Sequence, residues 1–195
     1  MKKKENYFSG NYKRCLEFLK ESKNFIYFSV IVFFVFFLIG YFFPVFFRNE
    51  IIKIIEELSK KVIGKNAIEL INMIFWNNLK ACVICVVFGV FLGITPFLIA
   101  VYNGYAAGFV SGMAVQKAES IFVLLRLLPH GIFELPAVFI SIGLGLKLAV
   151  NLFSKNSGEK LKRNLKEILR FMVFVIIPLL LIAAIIEGFL IFMIK

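Results

Sequence analysis

The sequence predicts an all-α protein: a polytopic membrane helix bundle of about five transmembrane helices, some kinked or broken, with an amphipathic interfacial helix. Three observations carry this prediction. Apolar residues make up 61% of the 195 residues, well above the roughly 45–50% of soluble domains, and mean hydropathy is +0.89. They fall in runs long enough to cross a hydrocarbon core of roughly 30 Å at 1.5 Å per helical residue. The basic residues, which bring the net charge to +11, flank those runs instead of forming a nucleic-acid-binding face. That distribution orients spans and meets anionic headgroups, so the lipid bilayer is the first expected partner.

Residues 1–24 form a basic N-terminal segment with Lys2, Lys3, Lys4, Lys13, Arg14, Lys20 and Lys23. Leu16, Phe18 and Leu19 allow it a short surface helix. The apolar run that follows is too long for the core of a signal peptide and reads as a retained anchor. It gives a first span over about 25–47, kinked or ended by Pro44. Ile51, Ile55, Leu58 and Val62 then share one helical face, with Glu56, Glu57, Lys60 and Lys61 elsewhere, so about 50–63 is an amphipathic helix. Ile68–Trp76 leads into a second span over about 79–101, with Trp76 near the headgroups, Asn77 and Asn78 just inside its start, and Pro96 bending its later half.

A tight connection at Tyr102, Asn103 and Gly104 precedes a third span, about 104–117, which is short and either borrows flanking residues or is partly re-entrant. The fourth, about 121–150, is long. Pro129 removes a backbone donor there, which suits a half-helix, a break and then a full helix. A basic loop at 151–170 and a last span over about 171–194 complete a single membrane domain, 25–195. Positive charge places the N-terminus and loop 151–170 on the cytoplasmic side of the cell membrane, and five crossings then put the C-terminus outside.

Small residues recur at every fourth position. Ala100, Gly104, Gly108 and Gly112 form one ladder, Ala137, Ser141, Gly145 and Ala149 a second, and Gly89 and Gly93 a further pair. In lipid, helices associate by close backbone approach, which small residues permit. These ladders predict tight packing within the chain or, failing that, contacts in a homo-oligomer.

The ionisable and amide side chains inside apolar runs are the candidate site: Asn77, Asn78, Asn103, Arg126, His130, Glu134 and Glu187. An ionisable group at membrane depth costs roughly 2.5–3.5 kcal/mol on insertion scales, so something must offset it. Arg126, His130 and Glu134 fall on one face of a continuous helix. Three readings of that line stand: a polar clasp that fixes a kinked helix, a partner-binding or conformational role, and a proton relay or catalytic role. Glu187 interrupts the last span and is placed to approach Glu134, Asn103 or an interfacial lysine.

Catalytic chemistry finds little support. The chain has no aspartate and one histidine, which removes aspartyl dyads and makes a His-rich metal site unworkable. Cys82 and Cys85 have CxxC spacing with no second pair and read as buried apolar fillers, like Cys15. GFVSG at 108–112 misses the spacing of intramembrane serine proteases by one residue, and no phosphate-binding glycine loop is present. No catalytic residue, cofactor or metal is expected.

The run FWNNLKACVICVVFGVFLGITPFLIAVYNGYAAGFVSGMAV and the later RLLPHGIFELPAVFISIGLGLKLA resemble the stage II sporulation protein M family. The likeness rests on Asn77–Asn78, Gly89 and Gly93, Asn103–Gly104, the block Leu128–Pro129–His130–Gly131 with Glu134–Leu135–Pro136, and Gly143 and Gly145. It covers about residues 70–150. The resemblance implies an integral membrane protein without enzymatic activity of its own. The family's namesake in spore-forming bacteria is a scaffold that recruits peptidoglycan-degrading partners, and the family extends to non-sporulating bacteria and archaea. The expected function is therefore a scaffold for membrane or envelope proteins. The alternative is a transporter or channel-like protein that moves an ion or small solute past His130, Glu134 and Glu187.

Overall fold

The computed structural model describes residues 7–116 and 121–194, with the side chains of 7, 58, 59, 114, 116, 121–132 and 194 outside the description. The described residues form helices throughout: α1 (Tyr7–Phe42), α2 (Arg48–Val62), α3 (Ala67–Val87, extended by a 3₁₀ turn Phe88–Val90), α4 (Ile94–Gln116), α5 (Ile121–Leu152), α6 (Ser157–Phe171) and α7 (Ile177–Ile194). A π-helical turn, Met172–Ile176, joins α6 to α7. Five helical stretches are long and apolar enough to cross a membrane: 8–42, 67–90, 94–113, 133–152 and 157–193.

The number of spans agrees with the sequence reading, but several boundaries do not. The second span starts at Ala67, not near 79, because Asn66 caps it there. Asn66 Oδ1 accepts from the Glu69 amide at 2.9 Å, and Glu69 Oε2 accepts from the Asn66 amide at 2.9 Å, a complete capping box. That span ends at a turn over 91–93, where Leu92 (φ 56°) and Gly93 (φ 69°) adopt left-handed backbone. Pro96 therefore does not bend a second span; it sits in the first turn of α4, where its missing N–H has no helical partner to lose. Tyr102–Gly104 lies inside α4 and is no connection, and the third stretch is a continuous helix long and apolar enough to cross a membrane.

α5 runs unbroken through Pro129, as transmembrane helices can when neighbouring groups satisfy the freed carbonyl. Residues 157–170 are helix, not loop: Leu161, Ile168 and Phe171 face inward and the lysines outward. The basic N-terminal segment is likewise no separate surface helix from Tyr7 onward but the start of α1.

Glycine sets the packing. α1 and α4 lie parallel in contact: a methyl group on Gly104, Gly108 or Gly112 would meet the carbonyl of Phe33, Phe37 or Tyr41 in turn, and one on Gly40 would meet that of Tyr105. α5 touches α1, α3, α4, α6 and α7 and is the central helix. It runs antiparallel to α1, with Ser29 Oγ 2.9 Å from the Phe139 carbonyl, and parallel to α3, with Cys82 Sγ 3.9 Å from the Ala137 carbonyl and Gly89 against Gly145. α7 packs on α3 through Gly188 against Ile71. Ala137, Ser141, Ile142, Leu148, Ile176, Leu180, Ala183 and Ala184 are fully buried along these seams.

Beyond α1, the Tyr105 hydroxyl donates to the Phe43 carbonyl (3.0 Å) and accepts from the Phe46 amide (2.9 Å), pinning the turn that follows. α2 then docks by Ile51 against Tyr105 and Phe109.

Candidate functional site: a polar cleft and a buried lysine

The capping box fixes where α3 begins, and this determines how its polar residues lie. Trp76 sits about 13 Å along the helix from Ala67, and Asn72, Trp76 and Lys80 recur at four-residue intervals, which aligns them on one face. That face lines a cleft of about 1000 Å³ shared by α2, α3, α5 and α7. α2 and the residue after it contribute Ile55, Lys61, Val62 and Ile63. α3 contributes Asn72, Met73, Ile74, Trp76, Asn77, Asn78 and Lys80, α5 contributes Glu134, and α7 contributes Glu187 and Ile191.

Four of the sequence candidates, Asn77, Asn78, Glu134 and Glu187, are thus brought together in one place. Asn103 is not among them: it lies exposed on α4, where Nδ2 donates to the Ile99 carbonyl of its own helix at 2.8 Å. The side chains of Arg126 and His130 lie outside the described residues, although their backbone belongs to α5. Lys61, Asn72 and Lys80 escaped the sequence reading. The 72–76–80 spacing would have found the α3 pair once the helix start was correctly placed.

At the other end of the bundle lies a second buried charge. Lys147 on α5 is 7% exposed. Its Nζ donates to Ser22 Oγ at 2.9 Å, lies 3.6 Å from Glu21 Oε2, and stands 4.0 Å over the centre of the Phe18 ring. Glu21 also accepts from Arg163 of α6 at 3.2 Å, and Arg170 of α6 donates to Asn11 Oδ1 at 2.8 Å and pairs with Glu167. These contacts tie α1, α5 and α6 together. The rule that an ionisable residue in an apolar run needs a partner applies equally to Lys147 in GLGLKLAV.

Among the described residues no group of three or more histidine, cysteine or acidic side chains could hold a metal. Cys15, Cys82 and Cys85 form no disulfide among the described residues and are buried in packing seams. What the cleft offers is carboxylates, ammonium groups and amides on a largely apolar wall.

The comparisons agree with this architecture. A family model described as Stage II sporulation protein M matches residues 29–190, a range that takes in the glycine ladders, Glu134 and Glu187. Two uncharacterised proteins of Methanocaldococcus jannaschii are similar. One is 32% identical over 121 residues, covering 60% of this chain and 67% of the relative. The other is 34% identical over 142 residues, covering 70% of this chain and 62% of the relative. The match to the second therefore spans less than two thirds of its length. No solved structure matches the chain.

Proposed function

The chain belongs to the stage II sporulation protein M family, and from that premise we propose that it is a non-enzymatic scaffold of the cell membrane that positions partner proteins of the membrane or envelope. Its basic end, α1 and α6, faces the cytoplasm in this reading, and the cleft faces the outer leaflet. One observation carries the choice over transport: the cleft is one-ended. Its lining stops at Lys80, Glu134 and Glu187, and the residues beyond, Cys82, Ala137, Ser141 and Ala184, are fully or almost fully buried. Backbone contacts at Gly89 and Gly145 close the bundle deeper still. A polar recess on a close-packed floor supports a seat more than a conduit. Repeats that rock against each other, as in secondary transporters, would have to slide over glycine contacts with no spare room.

The test is reconstitution in liposomes beside crosslinking in native membranes. We expect no flux of protons or small solutes that depends on Glu134 or Glu187. A photo-crosslinker at Asn72 should trap a specific membrane or envelope protein, whereas one at the exposed Leu98 of α4 should not. Flux that is abolished by Glu134→Gln would overturn the scaffold in favour of transport.

A further inference from the structure

We propose that the cleft walled by α2, α3, α5 and α7 binds the zwitterionic head of an amino-phospholipid, its ammonium group against Glu134 and Glu187 and its phosphate against Lys61 and Lys80. The site goes beyond the scaffold role and does not depend on it.

Charge composition comes first. Both signs line the cleft, and each sign comes from two different helices: lysines from α2 and α3, glutamates from α5 and α7. A simple anion would meet the glutamates as like charges, and a simple cation would meet the lysines as like charges. A head that carries both charges matches all four. Lysine is a point-charge partner for phosphate, and the Asn72, Asn77 and Asn78 amides can donate to phosphate oxygens or accept from an ammonium N–H. Glu187 adds a second, independent observation. It sits within an apolar helix and on the cleft wall, yet among the described residues it has no hydrogen bond or ion pair. A carboxylate at that depth marks a place where a ligand or ion is received.

Size and shape point to an amphiphile. A volume of about 1000 Å³ lies at the top of the range of roughly 300–1,000 Å³ for small-molecule sites. From Asn72 to Lys80 the wall runs about 12 Å along α3, longer than a headgroup layer of roughly 5–8 Å per leaflet. The cleft therefore continues from headgroup depth into the acyl region. Ile55, Ile63 and Ile191 supply the apolar surface that an acyl chain needs. α2, amphipathic and docked across the end of the bundle, places the mouth at the interface.

Trp76 provides the assay, because it lines the cleft and is the chain's single tryptophan. The full chain in an uncharged detergent is titrated with phosphatidylethanolamine bearing brominated acyl chains, which quench indole on contact, and with phosphatidylglycerol bearing the same chains. We expect half-quenching at about a tenfold lower mole fraction of the ethanolamine lipid, the ratio given by one charge-assisted contact. Glu187→Gln, measured at unchanged helical circular dichroism, should reduce that preference to about twofold or less. Lys61→Gln lies on the surface helix α2, outside the packed core, and serves if the α7 variant misfolds; it should weaken quenching by the ethanolamine lipid about tenfold. Equal quenching of the wild type by both lipids would overturn the proposal, as would an unchanged preference in folded Glu187→Gln or unchanged quenching in Lys61→Gln. Water-soluble phosphoethanolamine should fail to relieve the quenching at matched concentration; relief would assign the site to a free solute instead of a lipid.

Discussion

Lys147 and Glu187 are both ionisable side chains set in apolar helices, and the protein treats them in opposite ways. Lys147 is held by Ser22, Glu21 and the Phe18 ring, and Glu21 is shared with Arg163. Glu187 lies on the wall of a cleft with no such partners among the described residues. At the basic end, charge is spent on joining three helices. At the cleft end, charge is displayed. The contrast shows that an intramembrane charge alone does not identify a site; the state of its partners does. Even the basic end is not perfectly matched, since Asn164 Oδ1 and Asn151 Nδ2 are buried without partners among the described residues, but these are neutral amides rather than charges.

The comparison breaks most sharply where packing allows no relief. Gly108→Ala places a methyl group on the Phe37 carbonyl, and overpacking of this kind costs about 1–3 kcal/mol; Gly108→Leu should abolish the folded bundle. Gly158→Ala, where nothing lies within 4 Å, should be neutral or stabilise by up to about 1 kcal/mol through helix propensity. Thermal unfolding in detergent followed by helical circular dichroism checks both. Equal effects at 108 and 158 would mean that the α1–α4 seam is not formed by backbone contact.

Next comes an asymmetry at Lys147. Glu21→Gln with Ser22→Ala leaves a buried ammonium with little but a ring beneath it, and should cost about 2 kcal/mol. Lys147→Met conserves volume and removes the charge, and should cost less than about 1.5 kcal/mol. Added to the double variant, Lys147→Met should restore most of the lost stability. Failure to rescue would show that the loss came from α1 itself and not from a stranded charge.

The smallest effect belongs to the cleft. Glu187→Gln should leave stability unchanged or raise it by on the order of 1 kcal/mol, because it removes a charge from an apolar setting where no group among the described residues matches it. A marked fall in melting temperature would mean that Glu187 is structural after all, and that the two ends are alike.

How much of this was legible in the sequence differs between levels. Hydropathy runs and flanking lysines gave a helical membrane bundle of five spans, since transfer energy summed over a long segment is insensitive to individual residues. Span ends were not legible in the same way. From Ala81 to Val101 the sequence has no charged residue, and before it Glu69, Asn72, Asn77, Asn78 and Lys80 are scattered among apolar residues, so the boundaries lay in caps: Asn66 with Glu69, and Gly93 followed by Pro96. A proline read as a mid-span bend proved to be a helix start. α6 was missed for the opposite reason. Its lysines suggested a loop, although Leu161, Leu165 and Ile168 keep helical spacing. Asn77, Asn78, Glu134 and Glu187 stand out in the sequence as misfits in apolar runs; that they line one cleft is a tertiary fact no spacing rule could supply. Lys61 and Lys80 were hidden because an interfacial lysine is ordinary until the wall it stands on is known.

The parallel pairing of α1 with α4 bears on how the chain is made. The glycine face of α4 that α1 packs against is synthesised only after α2 and α3. α1 must therefore wait in the bilayer, its eventual contact surface bare, until α3 and α4 have followed it. A nascent chain stalled before residue 104 offers quality-control proteases an unpaired anchor, so translation pauses upstream of that point should be the costliest for yield.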